Sequence, residues 1–235
     1  MKTPSVMAIL QARMASSRLP GKMLLPIIGK KGALELMLGR VGRARKLSRV
    51  VVATTDSPVD NPLEAICDRL RVPCFRGSEP DVLDRFYQAA RALDAPPVLV
   101  RLTGDCPLHD PQIIDEAIEA FEAQGVDYIS NADPPTLPDG LDTEVFTREA
   151  LESAWREARL PSEREHVTPF IRQHPERFKL GRLVYPRDLS GLRWTLDEPG
   201  DLELIRALYG RLGERALGFR DVLGWLEREP GRQGV

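Results

Sequence analysis

Three short apolar runs constrain the fold of this chain more than any other feature. They lie at residues 5–10, at Arg49–Thr55 (R-V-V-V-A-T-T) and at 98–102 (V-L-V-R-L). Each is nearly continuous, without a polar residue at every second position, as in a strand buried on both faces. Such a strand needs helices above and below it, and the intervening segments supply them. At 33–45, Leu34, Met37, Leu38 and Val41 recur at helical spacing. Asn61, Pro62 and Glu64 read as the cap, first position and capping box of a helix running to about Leu70. At 81–93, Val82, Phe86, Ala89, Ala90 and Leu93 make an inward face, and Asp110-Pro111 opens a helix over 112–124. Short strands at 72–75 and 127–130 complete a regular alternation. The expected class is α/β, with a mostly parallel sheet sandwiched between helices. Right-handed crossovers then put the loops after the first, third and fourth strands along one edge.

After Asn131 the organisation changes. Residues 132–140 are rich in Pro, Asp and Gly, and 141–146 alternates like an antiparallel strand. Helices are expected at 148–158 and 162–174, strands at 178–184 and 192–195, and closing helices at Pro199–Leu212 and Phe219–Arg228. Nothing repeats and no low-complexity linker intervenes, so the 235 residues read as one domain.

The loop after the first strand, Q-A-R-M-A-S-S-R-L-P-G-K (11–22), concentrates Arg13, Arg18 and Lys22 with Ser16, Ser17 and a Pro20-Gly21 pair. Small residues let backbone N–H groups approach an anion, and guanidinium groups bind phosphate oxygens in pairs. A loop of this kind at the end of a buried strand is where open α/β sheets take ligands. The net charge is −2, so any anion site is local, and nothing draws the whole protein to nucleic acid or an acidic membrane. The three cysteines, Cys67, Cys74 and Cys106, form no C-x-x-C pair. That argues against a disulfide framework and a structural zinc site. No apolar run is long enough for a membrane span or a signal peptide, so a reduced, cytoplasmic protein is expected.

Asp105, in T-G-D-C-P-L at the end of the fourth strand, is placed to hold a divalent cation beside phosphate. Asp197, in W-T-L-D-E-P-G-D-L, either joins it or caps the helix that follows, with Asp201 in the acidic first turn. Ser78, Asp84 and Arg85 could reach a nucleotide, and equally could serve capping and a surface helix. Asp142 and Glu144 share a face of the 141–146 strand, where they could meet sugar hydroxyls or a second metal. His166, beside Glu165, is a candidate general base. Trp155, Trp194 and Trp225 read as core or interface residues.

The opening V-M-A-I-L-Q-A-R-M-A-S-S-R-L-P-G-K resembles the signature of the acylneuraminate and 3-deoxy-manno-octulosonate cytidylyltransferases. R-L-T-G-D-C-P-L, G-L-D-T-E-V-F, R-E-H-V-T-P-F-I and L-R-W-T-L-D-E-P-G-D-L follow in the order of the branch labelled spore coat polysaccharide biosynthesis proteins. The resemblance implies the nucleotide-diphospho-sugar transferase α/β/α sandwich. Its nucleotide-binding half would be 1–131, and 132–235 a substrate-side and closing half with a smaller antiparallel segment. It implies transfer of CMP from CTP to a sugar acid, with pyrophosphate leaving. Arg13, Arg18 and Lys22 would hold the triphosphate, Asp105 and Asp197 would hold Mg²⁺, and Leu10, Gln11 and Ala12 would meet the base through backbone groups. It also implies a homodimer, with 132–146 and Trp155 near the partner. The chain departs from the acylneuraminate and octulosonate enzymes at Cys106, where they carry glutamate. A glycosyltransferase on the same fold would want a D-x-D motif, and Gly104 precedes a single Asp105. A non-catalytic nucleotide-binding subunit is the other alternative.

Overall fold

The computed structural model describes residues 5–214 and 217–228. Its first half follows the expected alternation. Strand β1 (Val6–Gln11) leads through the basic loop to α1 (Ala33–Val41), then β2 (Arg49–Thr55), α2 (Asn61–Leu70), β3 (Cys74–Gly77), α3 (Val82–Ala92), β4 (Val98–Thr103) and α4 (Pro111–Gln124). The second half adds β5 (Tyr128–Ser130), β6 (Glu144–Thr147), α5 (Arg148–Glu157), α6 (Pro161–His166), α7 (Pro169–Gln173), β7 (Leu180–Arg182), α8 (Pro199–Leu212) and α9 (Phe219–Arg228).

The strands form one sheet in the order β3-β2-β1-β4-β6-β5-β7. β1 lies parallel between β2 and β4, while β6 runs antiparallel to both β4 and β5. The antiparallel element is therefore inserted in the sheet, between two strands that are consecutive in sequence. Side chains alternate across the sheet. Ala8, Leu10 and Ala12 pack with α1, α2 and α4, whereas Met7 and Ile9 pack with α3, α5 and α7. A third apolar cluster, built on Trp194, Tyr209, Phe219 and Trp225, ties α8 and α9 to α1 and the start of α4. Burying the apolar side chains of β1 and β4 stabilises the sheet by about 25 cal/mol per Å² of apolar surface.

Several local expectations fail for identifiable reasons. Asn61 and Glu64 do not form a capping box, because both side chains accept from the Arg76 guanidinium at 2.7 Å. The single helix expected at 162–174 is two. Val167 takes φ 72°, which breaks the ladder, and Pro169 then opens the second helix at its first position, where no N–H is needed. Residues 192–195 join no sheet. They pair with the 138–140 turn, through Trp194 N–H to the Asp139 carbonyl at 2.7 Å and an isolated bridge from Asp139 to Arg193.

Candidate functional site

The C-terminal ends of β1 and β4 open into a cavity of about 550 Å³. Its walls are the 11–23 loop, Glu79, Pro80, Val82 and Arg85 around the start of α3, Thr103 to Asp105, Glu165 and His166 at the end of α6, and Asp197. The basic loop is held there by a group that no motif announced. Buried Asp60 accepts from Met14 N–H at 2.7 Å, and its other oxygen accepts from Thr55 Oγ1 and Thr55 N–H. One carboxylate thus ties the loop to the end of β2. Farther along, Gly21 takes φ 70°, which turns the chain so that Leu24 N–H reaches its carbonyl at 2.9 Å. Gly104 lets β4 approach the same loop. A Cβ there would lie 2.7 Å from Met23 Cε and 3.1 Å from the Gln11 carbonyl oxygen.

The centre of the site is a cation between two acids. Lys22 Nζ donates to Asp105 Oδ2 and to Asp197 Oδ1, each at 2.7 Å. Burial pushes the Lys22 ammonium down, but the Asp105 and Asp197 charges outweigh it, and its pKa lies above the usual value. Burial likewise pushes Asp197 up, and Lys22 and Arg18 bring it below the ordinary carboxylate range. Arg18 reaches Asp197 at 3.0 Å and Glu198 at 3.6 Å, while Arg13 comes within 4.0 Å of Glu79. Both arginines are more than half exposed, so they are free to meet a ligand.

The two readings of Asp197 separate here. Asp201, not Asp197, serves the start of α8: its Oδ2 accepts from the N–H groups of Asp197 and Glu198 at 2.9 and 2.8 Å. The Asp197 carboxylate is thereby left for the cleft. The two acidic segments are joined through backbone as well, Leu196 N–H donating to the Asp105 carbonyl at 2.8 Å. Two hard oxygen donors around one positively occupied point are a donor set that suits a divalent cation completed by phosphate and water.

The cavity also takes in Gln11, Ala12 and His166, as well as Arg85, but it leaves out other candidates. The Leu10 side chain is fully buried core. Ser78 Oγ accepts from Asp81 N–H, and Asp84 accepts from Trp155 Nε1 at 2.8 Å, so both act within the fold around α3. Trp155 stacks on Tyr87 at 4.0 Å within the chain. Glu144 is buried and accepts from Arg101, Tyr128 and Thr168. Asp142 stands outside the lining. Burial first, then Asp139 and Glu144, push its carboxyl up to about 6. Cys106 is buried beside Thr103 Oγ1. Burial and then the Asp105 charge raise its thiol well above the usual value, so it is no thiolate nucleophile. Arg85 is a less expected finding. The residue is 2% exposed, its guanidinium donates to the Ser78 carbonyl at 2.9 Å, and its Nε–H has no partner among the described residues.

The family model for cytidylyltransferases matches residues 7–210. An uncharacterised protein of Methanocaldococcus jannaschii is 39% identical, with 96% of this chain and 91% of that protein covered. The spore coat polysaccharide biosynthesis protein SpsF of Bacillus subtilis is 38% identical over 96% of this chain and 95% of its own length. Among solved structures, a cytidylyltransferase from Leptospira borgpetersenii superposes with a TM-score of 0.92 at 34% identity, covering 98% of this chain and 97% of that one. Likeness in sequence and in shape over nearly the whole length makes this chain a member of the cytidylyltransferase family.

Proposed function

We propose that the chain transfers CMP from CTP to a sugar acid, releasing pyrophosphate, and that the product feeds synthesis of a surface polysaccharide. The observation that carries the reading is the Lys22 ammonium held between Asp105 and Asp197 at the mouth of β1 and β4, with Arg13 and Arg18 on the rim. An acceptor hydroxyl attacks the α-phosphorus, and the bond from that phosphorus to the α,β-bridging oxygen breaks. Little covalent work falls to the protein, which must align the two oxygens and neutralise the leaving pyrophosphate. Arg13 and Arg18 bind phosphate oxygens, and a triphosphate offers Lys22 anionic partners that compete with its two carboxylates. Asp105 and Asp197 would hold Mg²⁺, which when bound draws charge from the phosphoryl oxygens. Among the described residues no three His, Cys, Asp or Glu side chains converge as a ligand set, so the remaining ligands of the ion would come from the substrate's phosphates and water. Glu165 and His166 line the same cavity, and His166 takes the hydroxyl proton.

In this reading the enzyme is a cytoplasmic homodimer, with the 132–146 segment near the partner. No helix among the described residues is long and apolar enough to cross a membrane. The test is a panel of nucleoside triphosphates and sugar acids with Mg²⁺, scored by pyrophosphate release. CTP with one sugar acid should turn over. Release of a nucleoside diphosphate would assign a glycosyltransferase instead. CTP binding indifferent to Mg²⁺, with no turnover, would overturn catalysis.

A further inference from the structure

A row of polar groups crosses four adjacent strands behind the cavity. Glu144 on β6 sits opposite Arg101 on β4 in the sheet register, and their side chains pair. Tyr128 on β5 donates to the same carboxylate at 2.6 Å, as does Thr168 at 2.5 Å. On the other side, Arg101 Nε donates to Gln11 Oε1 on β1 at 3.2 Å. All these side chains lie on the α3 face of the sheet, as do Met7, Ile9 and Leu99.

The row has a fixed polarity. An ionised carboxylate only accepts hydrogen bonds, and a guanidinium only donates them. Glu144 therefore forces Arg101 to face it with N–H groups. Arg101 in turn admits only the oxygen of the Gln11 amide. This assignment does not depend on telling amide oxygen from nitrogen, because the reversed amide would set donor against donor. The Gln11 NH₂ is left pointing away from Arg101, and no protein acceptor meets it among the described residues. Gln11 lines the cavity together with Pro80, Val82 and Arg85. The adjoining backbone is committed to the sheet: Ala12 N–H donates to the Ala53 carbonyl at 3.3 Å, and the Gln11 carbonyl accepts from Gly104 N–H at 2.8 Å. The side-chain amide is thus a free polar group at the end of β1, and with its oxygen held by Arg101 the group left over is the NH₂ donor.

We propose that Gln11, locked by Arg101 and Glu144, reads the nucleotide base as a fixed donor that selects cytosine over uracil. This rests on the cytidylyltransferase reading and deepens it. Cytosine carries a lone pair at ring N3, which the Gln11 NH₂ can meet. Uracil carries N3–H, which would face the same NH₂ and leave two donors unpaired. A site built to pair one polar edge rejects the analogue that lacks the complementary group, because its own buried group is then unsatisfied. Gln11 would touch the base. Arg101 and Glu144 are positioning residues that act through it.

The experiment is titration calorimetry of the intact protein with CTP, UTP and inorganic tripolyphosphate, all with Mg²⁺, on wild type and three variants. Wild type should bind CTP more tightly than UTP. Gln11→Leu should weaken CTP by about tenfold, the value of one hydrogen bond, while tripolyphosphate holds steady and UTP binds no worse. Gln11→Glu keeps a partner for Arg101 and turns an acceptor toward the cavity, so its preference should move toward UTP. Arg101→Lys keeps a cation opposite Glu144 but loses the Nε–H, so the amide can turn and the CTP:UTP ratio should shrink. A fold defect alone would weaken all three ligands together and leave the ratio unchanged. Wild type that prefers CTP, with Gln11→Glu retaining the full preference, overturns the role of Gln11 and leaves the cytidylyltransferase reading intact. Wild type that binds CTP and UTP alike overturns the base selection, and wild type that binds neither nucleotide more tightly than tripolyphosphate overturns the CTP reading with it.

Discussion

Two cation–carboxylate systems lie at the ends of the same strands, and they are built for opposite purposes. In the cleft, Lys22 is shared by Asp105 and Asp197, and the half-exposed Arg18 joins from solvent. The Asp105 side chain keeps 29% of its surface exposed, so an incoming anion or cation can exchange with these partners. Behind the cleft, Glu144 is buried and its oxygens are filled by Arg101, Tyr128 and Thr168. Burial alone would raise the Glu144 pKa. The Arg101 charge and the three hydrogen bonds reverse that and hold it below the ordinary value. Equivalent residue types thus yield one centre that can trade partners and one that cannot. The difference lies in how many fixed donors surround the acid, not in the acid itself.

The comparison breaks most visibly through substitution of one acid in each system. Asp105→Ala should cut pyrophosphate release by about three orders of magnitude, the scale of losing a pre-organised electrostatic group, while the melting temperature barely moves. Retention of wild-type rates would remove Asp105 from the metal site. Glu144→Ala should do the reverse in kind. It leaves the partly buried Arg101 without its anion and the buried Tyr128 and Thr168 without an acceptor, a loss of about 3 kcal/mol of stability in chemical denaturation. If Glu144→Ala unfolded at the wild-type denaturant midpoint, the row behind the cleft would not be a structural network.

Why the sequence distinguishes these systems only in part is visible in particular residues. The alternation of apolar runs and amphipathic stretches located the first four strands and their helices, because burial on two faces leaves a signal in every residue of a run. The basic loop and Asp105 were legible as neighbours because parallel topology sends the ends of β1 and β4 to one edge. Glu144 was not. Period-two alternation shows that Asp142 and Glu144 share a face, and it cannot show that Arg101 waits on the next strand. Asp60 was equally silent, since its partners at Met14 are backbone and lie 46 residues away. Val167 at positive φ left only the following Thr168-Pro169 as a hint that the expected helix would break. The choice between Asp197 and Asp201 as the helix-start acid also needed coordinates, because both stand at usable spacings from Pro199.

Asp142 sharpens the comparison as the intermediate case, an acid near both systems that is paired in neither. Among the described residues its carboxylate has no hydrogen-bond or ion-pair partner, and its carbonyl alone meets His109 Nε2 at 3.3 Å. Burial, then the charges of Asp139 and Glu144, raise its pKa to about 6, and Arg101 only partly offsets them. An acid whose pKa is higher folded than unfolded binds its proton more tightly in the folded state. Its contribution to stability is therefore full below the unfolded value near 4 and is lost as pH rises through about 6. Asp142→Asn keeps the shape and removes the charge. In the ligand-free protein it should gain about 1–2 kcal/mol over wild type at pH 8, and the gain should fade toward pH 4. Melting curves of both proteins at the two pH values decide the matter. A gain of equal size at both would mean that lost charge is not its source, and Asp142 would then belong with the acids that have found a partner.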